Sequence, residues 1–338
     1  MTSGPLSIIL LNFNGATDTL ECLESLRNAQ LDDAAVILID NGSPDDSVER
    51  LLNWNKKHQF FRQVSEGLTE SAEWAGNDFS APFRASHEHT LLLSTDNLGF
   101  AGGNNLGARL ARARGGREVL LLNNDTTVAP DFLIPLRAAA QEQPEAVLIP
   151  QIRLYHQPDR LWNCGGDLRW PGRKVYHYQN TPVAGLPTDE LLPVTFVTGC
   201  ALWYRPAVTG LLTERFFFGE EDMEFSLRLR DKGIKAYCVP SSVVYHKVGS
   251  TLENNFRKSE IFTLKRLVNL RTRGGALLVI CAYAYYLANL LRLLVLNYKV
   301  RPDIALARVI KIGRASLRKN EVGQALCVAY VRGEDIEL

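Results

Sequence analysis

The sequence predicts an α/β protein built around a mainly parallel sheet, and three observations carry that prediction. Four short apolar runs, Ser7–Leu11, Val36–Ile39, Leu91–Leu93 and Val119–Leu122, are separated by stretches with helical spacing, which is the pattern of repeated βαβ units. Each run ends in Asn, Asp or Gly, so four loops should meet at one carboxyl edge of the sheet, where open α/β sheets bind ligands. A chain of 338 residues with 46% hydrophobic residues is also long enough to bury a full core.

The elements follow in order. Ser7–Leu11 reads as a buried strand, with Asn12-Phe13-Asn14-Gly15 as its loop. Residues 17–29 are predicted helical from Leu20, Leu23 and Leu26. Val36–Ile39 is a second strand followed by the loop Asp40–Pro44, and 45–53 is a helix. Residues 54–89 are polar and aromatic with weak periodicity, and read as an insertion or elaborated loop. After Leu91–Leu93, the glycine- and asparagine-rich stretch 95–107 reads as a strand-to-helix turn, with the helix over 108–114. Val119–Leu122 runs into Asn123-Asn124-Asp125. Glycines and prolines punctuate 150–194, then Phe196–Tyr204 reads as a strand broken at Gly199. A helix over 220–232 and a strand over 236–239 complete this part.

The net charge of +1 hides an asymmetry. Residues 251–338 hold 15 Lys and Arg against 7 Asp and Glu, which leaves 23 against 30 in residues 1–250. An acidic body with a basic tail suggests an anionic partner for the tail. Within that tail, residues 276–296 are apolar except for Asn289 and Arg292, with basic residues on both sides from Arg257 to Lys319. Such a segment suits the surface of an anionic leaflet, although a core helix or a membrane span has the same composition. The basic residues lack an interleaved aromatic platform, so nucleic acid is not an expected partner. The six cysteines form no Cys-x-x-Cys pair and have no zinc spacing, which predicts free thiols in a reducing compartment. The N-terminus shows no basic n-region and no cleavage site, so no secretory leader is expected.

Four constellations carry candidate chemistry. Asp125 sits just past a strand end with oxygen-rich neighbours, the setting for a hard divalent cation carrying a diphosphate, where the plain alternative is a helix cap or turn. Asp40-Asn41-Gly42-Ser43 offers a carboxylate to a base or ribose, and Gly42 would admit a ligand close to the backbone. Asn97–Asn104 has three glycines and two asparagines ahead of a helix, a place where free N–H groups could meet an anion. Its spacing is neither the dinucleotide fingerprint nor the phosphate-loop signature. Glu220-Glu221-Asp222 opens a helix. This suits the helix dipole, but three adjacent carboxylates also repel one another, which raises the pKa of one and favours general-base work. His246 ends an apolar run, where a histidine is more often structural than a ligand.

Taken together and in order, the segments Ser7–Gly15, Val36–Asp46, Asp96–Gly107, Leu120–Phe132, Thr198–Tyr204, Phe217–Gly233 and Tyr245–Thr251 resemble family 2 inverting glycosyltransferases, in particular a bacterial rhamnosyltransferase-like branch. The resemblance spans about 245 residues. It implies a GT-A fold over 1–250, with a nucleotide-binding part (1–130) and an acceptor and catalytic part (131–250), followed by a helical basic and apolar region, 251–338. Asn12, Asn14 and Asp40 then fall where the family holds base and ribose, beside Gly42. Asn97, Gly99, Gly102, Gly103 and Asn104 fall near the nucleotide and diphosphate. Asn123-Asn124-Asp125 takes the place of the Asp-x-Asp motif, with Asp125 at Mg²⁺ or Mn²⁺, Asn124 near the donor and His246 completing the metal site. Its first position is Asn rather than Asp, a departure that counts against Asn123 as a ligand, although this branch commonly reads Asn-x-Asp. Gly199 and Trp203 match an acceptor-side segment, and Glu221-Asp222 matches the Glu-Asp pair whose Asp is the usual base.

The implied reaction moves a sugar, with L-rhamnose from dTDP-rhamnose as the leading guess, onto a hydroxyl of a glycan or lipid-linked acceptor at the cytoplasmic face of the membrane. Two alternatives are a catalytically inactive glycan-binding module at the membrane surface and a sugar-phosphate nucleotidylyltransferase. The second normally carries a cationic glycine-rich loop after its first strand, where this chain has Asn12-Phe13-Asn14-Gly15.

Overall fold

A computed structural model describes residues 6–68, 88–248 and 255–334. The strands are β1 (Leu6–Asn12), β2 (Ala35–Asn41), β3 (Gln63–Leu68), β4 (Thr90–Ser94), β5 (Glu118–Asn123), β6 (Thr126–Val128), β7 (Val147–Leu154), β8 (Gln157–Asn163), β9 (Gly166–Arg169), β10 (Arg173–Tyr176), β11 (Leu192–Val194), β12 (Ala201–Tyr204) and β13 (Ala236–His246). The helices are α1 (Ala16–Arg27), α2 (Ser47–His58), α3 (Gly99–Ala113), α4 (Leu133–Glu142), α5 (Pro206–Thr209), α6 (Glu221–Asp231), α7 (Phe256–Arg273), α8 (Ala276–Arg292), α9 (Pro302–Arg318) and α10 (Gln324–Arg332).

The main sheet runs β11-β13-β7-β12-β5-β1-β2-β4-β3, with β6 on β13 and β8 on β7. The block β5-β1-β2-β4-β3 is parallel, and β12 joins it antiparallel to β5. The parallel strands are apolar throughout because both of their faces are covered. Ile9, Ile37 and Ile39 face one core, while Ile8, Leu10, Val36 and Leu38 face the other, as the two-residue period of a strand requires. A separate third core joins Phe216 to Ile261, Leu264, Leu290, Leu294, Ile312 and their neighbours in the C-terminal helices.

Three elements differ from the sequence expectation. The segment 54–89 is not wholly an insertion. Helix α2 continues to His58, and β3 adds a parallel edge strand beside β4. Residues 69–87 lie outside the described residues, as do 249–251 at the end of the last matching segment. Helix α3 begins at Gly99 rather than at residue 108, so Gly102, Gly103 and Gly107 are helical. A Cβ on Gly103 would collide with Leu11 Cδ1, and one on Gly107 would lie 2.7 Å from Ile9 Cγ2. These glycines let the helix lie close on the sheet, which is why they replace larger helix formers. Finally, β13 continues past residue 239 to His246, and its pairing with β6 sets His246 opposite Thr126.

Candidate active site

The four strand-end loops do meet, and side chains knit them together. Asn12 Nδ2 donates to Asp40 Oδ2 at 2.7 Å, and Ser43 donates to Asp40 through its backbone N–H (3.0 Å) and its hydroxyl (2.8 Å). Thr19 Oγ1 donates to Asn12 Oδ1 at 2.6 Å and accepts from Asn124 Nδ2 at 2.9 Å. Asn12 and Asp40 are fully buried, so they shape the loops, whereas Asn14 is exposed at the edge with a positive φ of 52°. Gly42 has φ +72°, and a Cβ there would stand 2.7 Å from the backbone of Asp96. The approach anticipated for a ligand is therefore made by the adjoining loop.

The start of α3 is also occupied by protein. Leu98 N donates to Asn41 Oδ1 (3.0 Å), Gly99 N to Asn97 Oδ1 (2.9 Å) and Phe100 N to the Phe217 carbonyl (3.3 Å). Those three N–H groups are spent, which corrects the expectation that this turn offers them to a diphosphate. Gly102 and Gly103 are buried within the helix, and Asn104 donates to the Phe100 carbonyl at 2.9 Å. None of these three side-chain positions opens on the loop edge.

Asp125 and His246, 121 residues apart in the chain, come together. His246 Nε2 lies 3.1 Å from Asp125 Oδ2, and Lys247 N donates to the Asp125 carbonyl at 3.0 Å. Burial raises the Asp125 pKa, but the hydrogen bond and charge of His246 outweigh it and hold the carboxyl below its usual range. For His246, burial favours the neutral ring, yet Cys200 and Asp125 push its pKa up to about 10. Asp125 Oδ1 and His246 Nδ1 are buried without a hydrogen-bond partner among the described residues. Among those residues, no cluster of three or more His, Cys, Asp or Glu could enclose a metal. A hard cation that keeps most of its ligands from water and a diphosphate needs no such cluster, and the orphaned carboxylate oxygen fits one.

The three carboxylates at the start of α6 are sorted by their partners. Glu220 adopts φ +77° after Gly219 at φ +80°, an uncommon pair of left-handed residues. That turn carries the buried Glu220 to Arg266, whose Nε and Nη2 both donate at 2.7 Å. Asp222 accepts from Lys174 Nζ at both oxygens, 2.9 and 3.0 Å, and Oδ1 also accepts from Met223 N at 2.7 Å. Glu221 has no cation paired with it among the described residues. Burial, then the Asp222 charge, raise its pKa to about 8, and its Oε2 likewise has no partner there. The anticipated raised carboxyl therefore exists, and it is Glu221.

Rings connect the two acidic regions. Trp162 lies 4.5 Å from the His246 ring, Tyr176 lies 6.2 Å from Trp162, and Phe196 lies 5.6 Å from Tyr176. Lys174 Nζ sits 4.5 Å from the Phe196 centroid while holding Asp222. Gly199, expected on the acceptor side, lies against α3, where a Cβ on it would stand 3.4 Å from the Phe100 ring. Trp203 does not join it: paired with Leu120 on the central strand, it is buried in the core beneath the sheet. Asn41, Trp162, Lys174 and Arg266 were not expected here. Asn41 was signalled by the polar triplet it belongs to, but nothing in the spacing of the other three points to this site.

Residues 7–69 match the family model for glycosyl transferase family 2. The matched segment is the first βαβα part of the chain, and the chain has the GT-A fold. The fold is shared with GalNAc-T7, solved with UDP, GalNAc and Mn²⁺, at TM-score 0.56 and 16% identity over 80% of this chain. The chain spans about half of that protein, 48% of its length. It is also shared with the mannosyltransferase PcManGT from Pyrobaculum calidifontis, solved with GDP-Man and Mn²⁺, at TM-score 0.50 and 13% identity, covering 98% of this chain and 79% of that one. No curated protein matches the chain in sequence. In this chain the edge formed by Asn14, Asn97 and Asn124 and the Asp125–His246 pair lie at the carboxyl ends of the parallel strands, where the fold class binds ligands.

Proposed function

We propose that the protein is an inverting glycosyltransferase that moves a sugar from a nucleotide-diphosphate donor to an acceptor hydroxyl, with Asp222 as general base. The observation that carries this reading is the run of ring contacts that ties the Asp125–His246 pair to Asp222, because a donor diphosphate and a base must share one cleft. The exposed edge at Asn14 and the half-buried Asn97 and Asn124 would face the nucleotide, with the buried Asn12–Asp40–Ser43 network fixing the loop shapes. Asp125, with His246 beside it, would hold Mg²⁺ or Mn²⁺, which when bound neutralises charge on the departing diphosphate.

Asp222 takes the acceptor proton as the hydroxyl oxygen attacks the anomeric carbon, and the single displacement inverts that centre. L-rhamnose is the donor sugar we favour, on the sequence resemblance alone. A glycan or lipid-linked acceptor at the inner face of the cytoplasmic membrane fits the basic, apolar C-terminal helices.

Asp222→Asn tests the assignment. Donor binding should stay nearly intact while turnover drops by roughly 10²–10⁴-fold, the usual worth of a general base. Undiminished turnover would pass the role to Glu221. Titrating UDP-, GDP- and dTDP-sugars with and without a chelator tests the metal, and equal affinity in both would remove it from the reading.

A further inference from the structure

Three adjacent acidic side chains pose a question that their sequence leaves open, namely which of them carries charge and which keeps a proton. Adjacent carboxylates cannot all ionise freely, and nearby cations decide where the proton stays. Glu220 has Arg266, Asp222 has Lys174, and Glu221 has neither. The charged and titratable groups around this point are Glu220 and Glu221 from the start of α6, Lys174 and Tyr176 from β10, and Arg266 from α7. Lys174 is nearly buried yet stays cationic: burial opposes its charge, but Asp222 and then Glu220 more than offset it.

The geometry points to Lys174 as the positioning residue of the transfer: its ammonium grips both oxygens of Asp222 and fixes the orientation of that carboxylate, while Glu221 is left without a paired cation among the described residues. Each carboxylate oxygen can accept about two hydrogen bonds. Asp222 Oδ1 already accepts from Lys174 and Met223 N, whereas among the described residues Oδ2 accepts from Lys174 alone. Oδ2 therefore has one direction left for an acceptor hydroxyl. Lys174 itself is fixed by the Phe196 ring below it and by the β9–β10 hairpin, whose turn at Gly172 is tied to α8 by Tyr286 OH donating to the Gly172 carbonyl at 2.6 Å. No sequence motif marks Lys174, and its role rests on the reading of Asp222 as the base.

The test is the pH profile of kcat/KM for nucleoside-diphosphate release, using whichever UDP-, GDP- or dTDP-sugar the binding panel selects. Lys174→Met should move the acid limb up by at least one pH unit, so activity falls about tenfold or more below the limb and little above it. Lys174→Arg should restore the wild-type limb. Should Lys174→Met fail to fold, Lys174→Gln carries the same expectation. A loss that is equal at every pH, with the limb unmoved, would overturn the inference and leave Lys174 a structural residue. Asp222→Asn assayed alongside separates the two claims. If it retains turnover, the base assignment is wrong. If it is inactive while Lys174→Met shows no shift, only the Lys174 inference falls.

Discussion

Asn41 holds two loops at once: its Oδ1 accepts from Leu98 N, and its Nδ2 donates to Asn97 Oδ1 at 2.9 Å and to the Gly99 carbonyl at 3.2 Å. A residue of this kind was half visible in the sequence, because Asp40-Asn41-Gly42 reads as a polar strand end, but which of its three members faces inward depends on contacts with residues far along the chain. The same holds for Glu221, whose proton is a consequence of what is missing around it. Folding raises its pKa from the ordinary 4.5 to about 8, so the folded protein holds a proton there that the unfolded chain releases. The stability that goes with this is fully present below about pH 4.5 and is lost as pH rises through 8. Glu221→Gln removes the titration. Its unfolding free energy should therefore gain on the wild type by up to about 1.4 kcal/mol per pH unit between those limits. Urea denaturation at pH 5, 7 and 9 reads the gap, and a gap that is constant with pH would refute the assignment.

At the scale of elements, the parallel strands were legible because burial on both faces leaves an uninterrupted apolar run, and no tertiary information is needed to see one. Helix α3 was not legible at its start. Glycine in a sequence signals a turn, whereas here Gly103 and Gly107 answer to the closeness of Leu11 and Ile9, a fact of packing. Helix α8 was legible in composition but not in placement. It is long and apolar enough, with its π-helical extension Leu293–Asn297, to cross a membrane by length and composition, yet within α8 Ala282 and Leu290 are the buried residues. Leu277 and Ile280 are 70% and 66% exposed, and Leu306, Ile310 and Leu317 of the neighbouring α9 are also exposed. A core helix would hide these side chains, so we expect this face to lie against lipid, with Arg292, Lys299 and Arg301 near anionic headgroups. Burying a leucine or isoleucine contributes about 1.5–3 kcal/mol. Leu277→Glu with Ile280→Glu should therefore weaken co-sedimentation with vesicles containing phosphatidylglycerol by roughly tenfold or more. Unchanged sedimentation, or sedimentation equal to that with neutral vesicles, would argue for a protein partner or for no partner.

Across the whole molecule, the sequence suggests a catalytic unit ending near residue 250 with a basic tail attached, but the contacts bind the two together at the loop leading into Glu220. That loop is held by one C-terminal residue, Val322, whose N donates to the Arg215 carbonyl at 2.8 Å and whose carbonyl accepts from Phe217 N at 3.1 Å. Phe216 is buried in the C-terminal core, and Glu220 has its cation in α7. A chain cut after residue 250 would keep the parallel sheet and both of its cores, while exposing Phe216 and leaving a buried carboxylate without its partner. Breaking one side of a buried pair costs about 3–5 kcal/mol. At the size of this fragment that corresponds to a melting temperature roughly 10 °C lower. We therefore expect residues 1–250 to melt well below the full chain, which should unfold in one transition, and to lose turnover even toward a soluble acceptor, because the strained Gly219–Glu220 turn that sets Asp222 has lost its support. Calorimetry of the two chains decides this. A fragment that melts with the full chain and retains turnover would show that residues 251–338 serve only to reach the membrane.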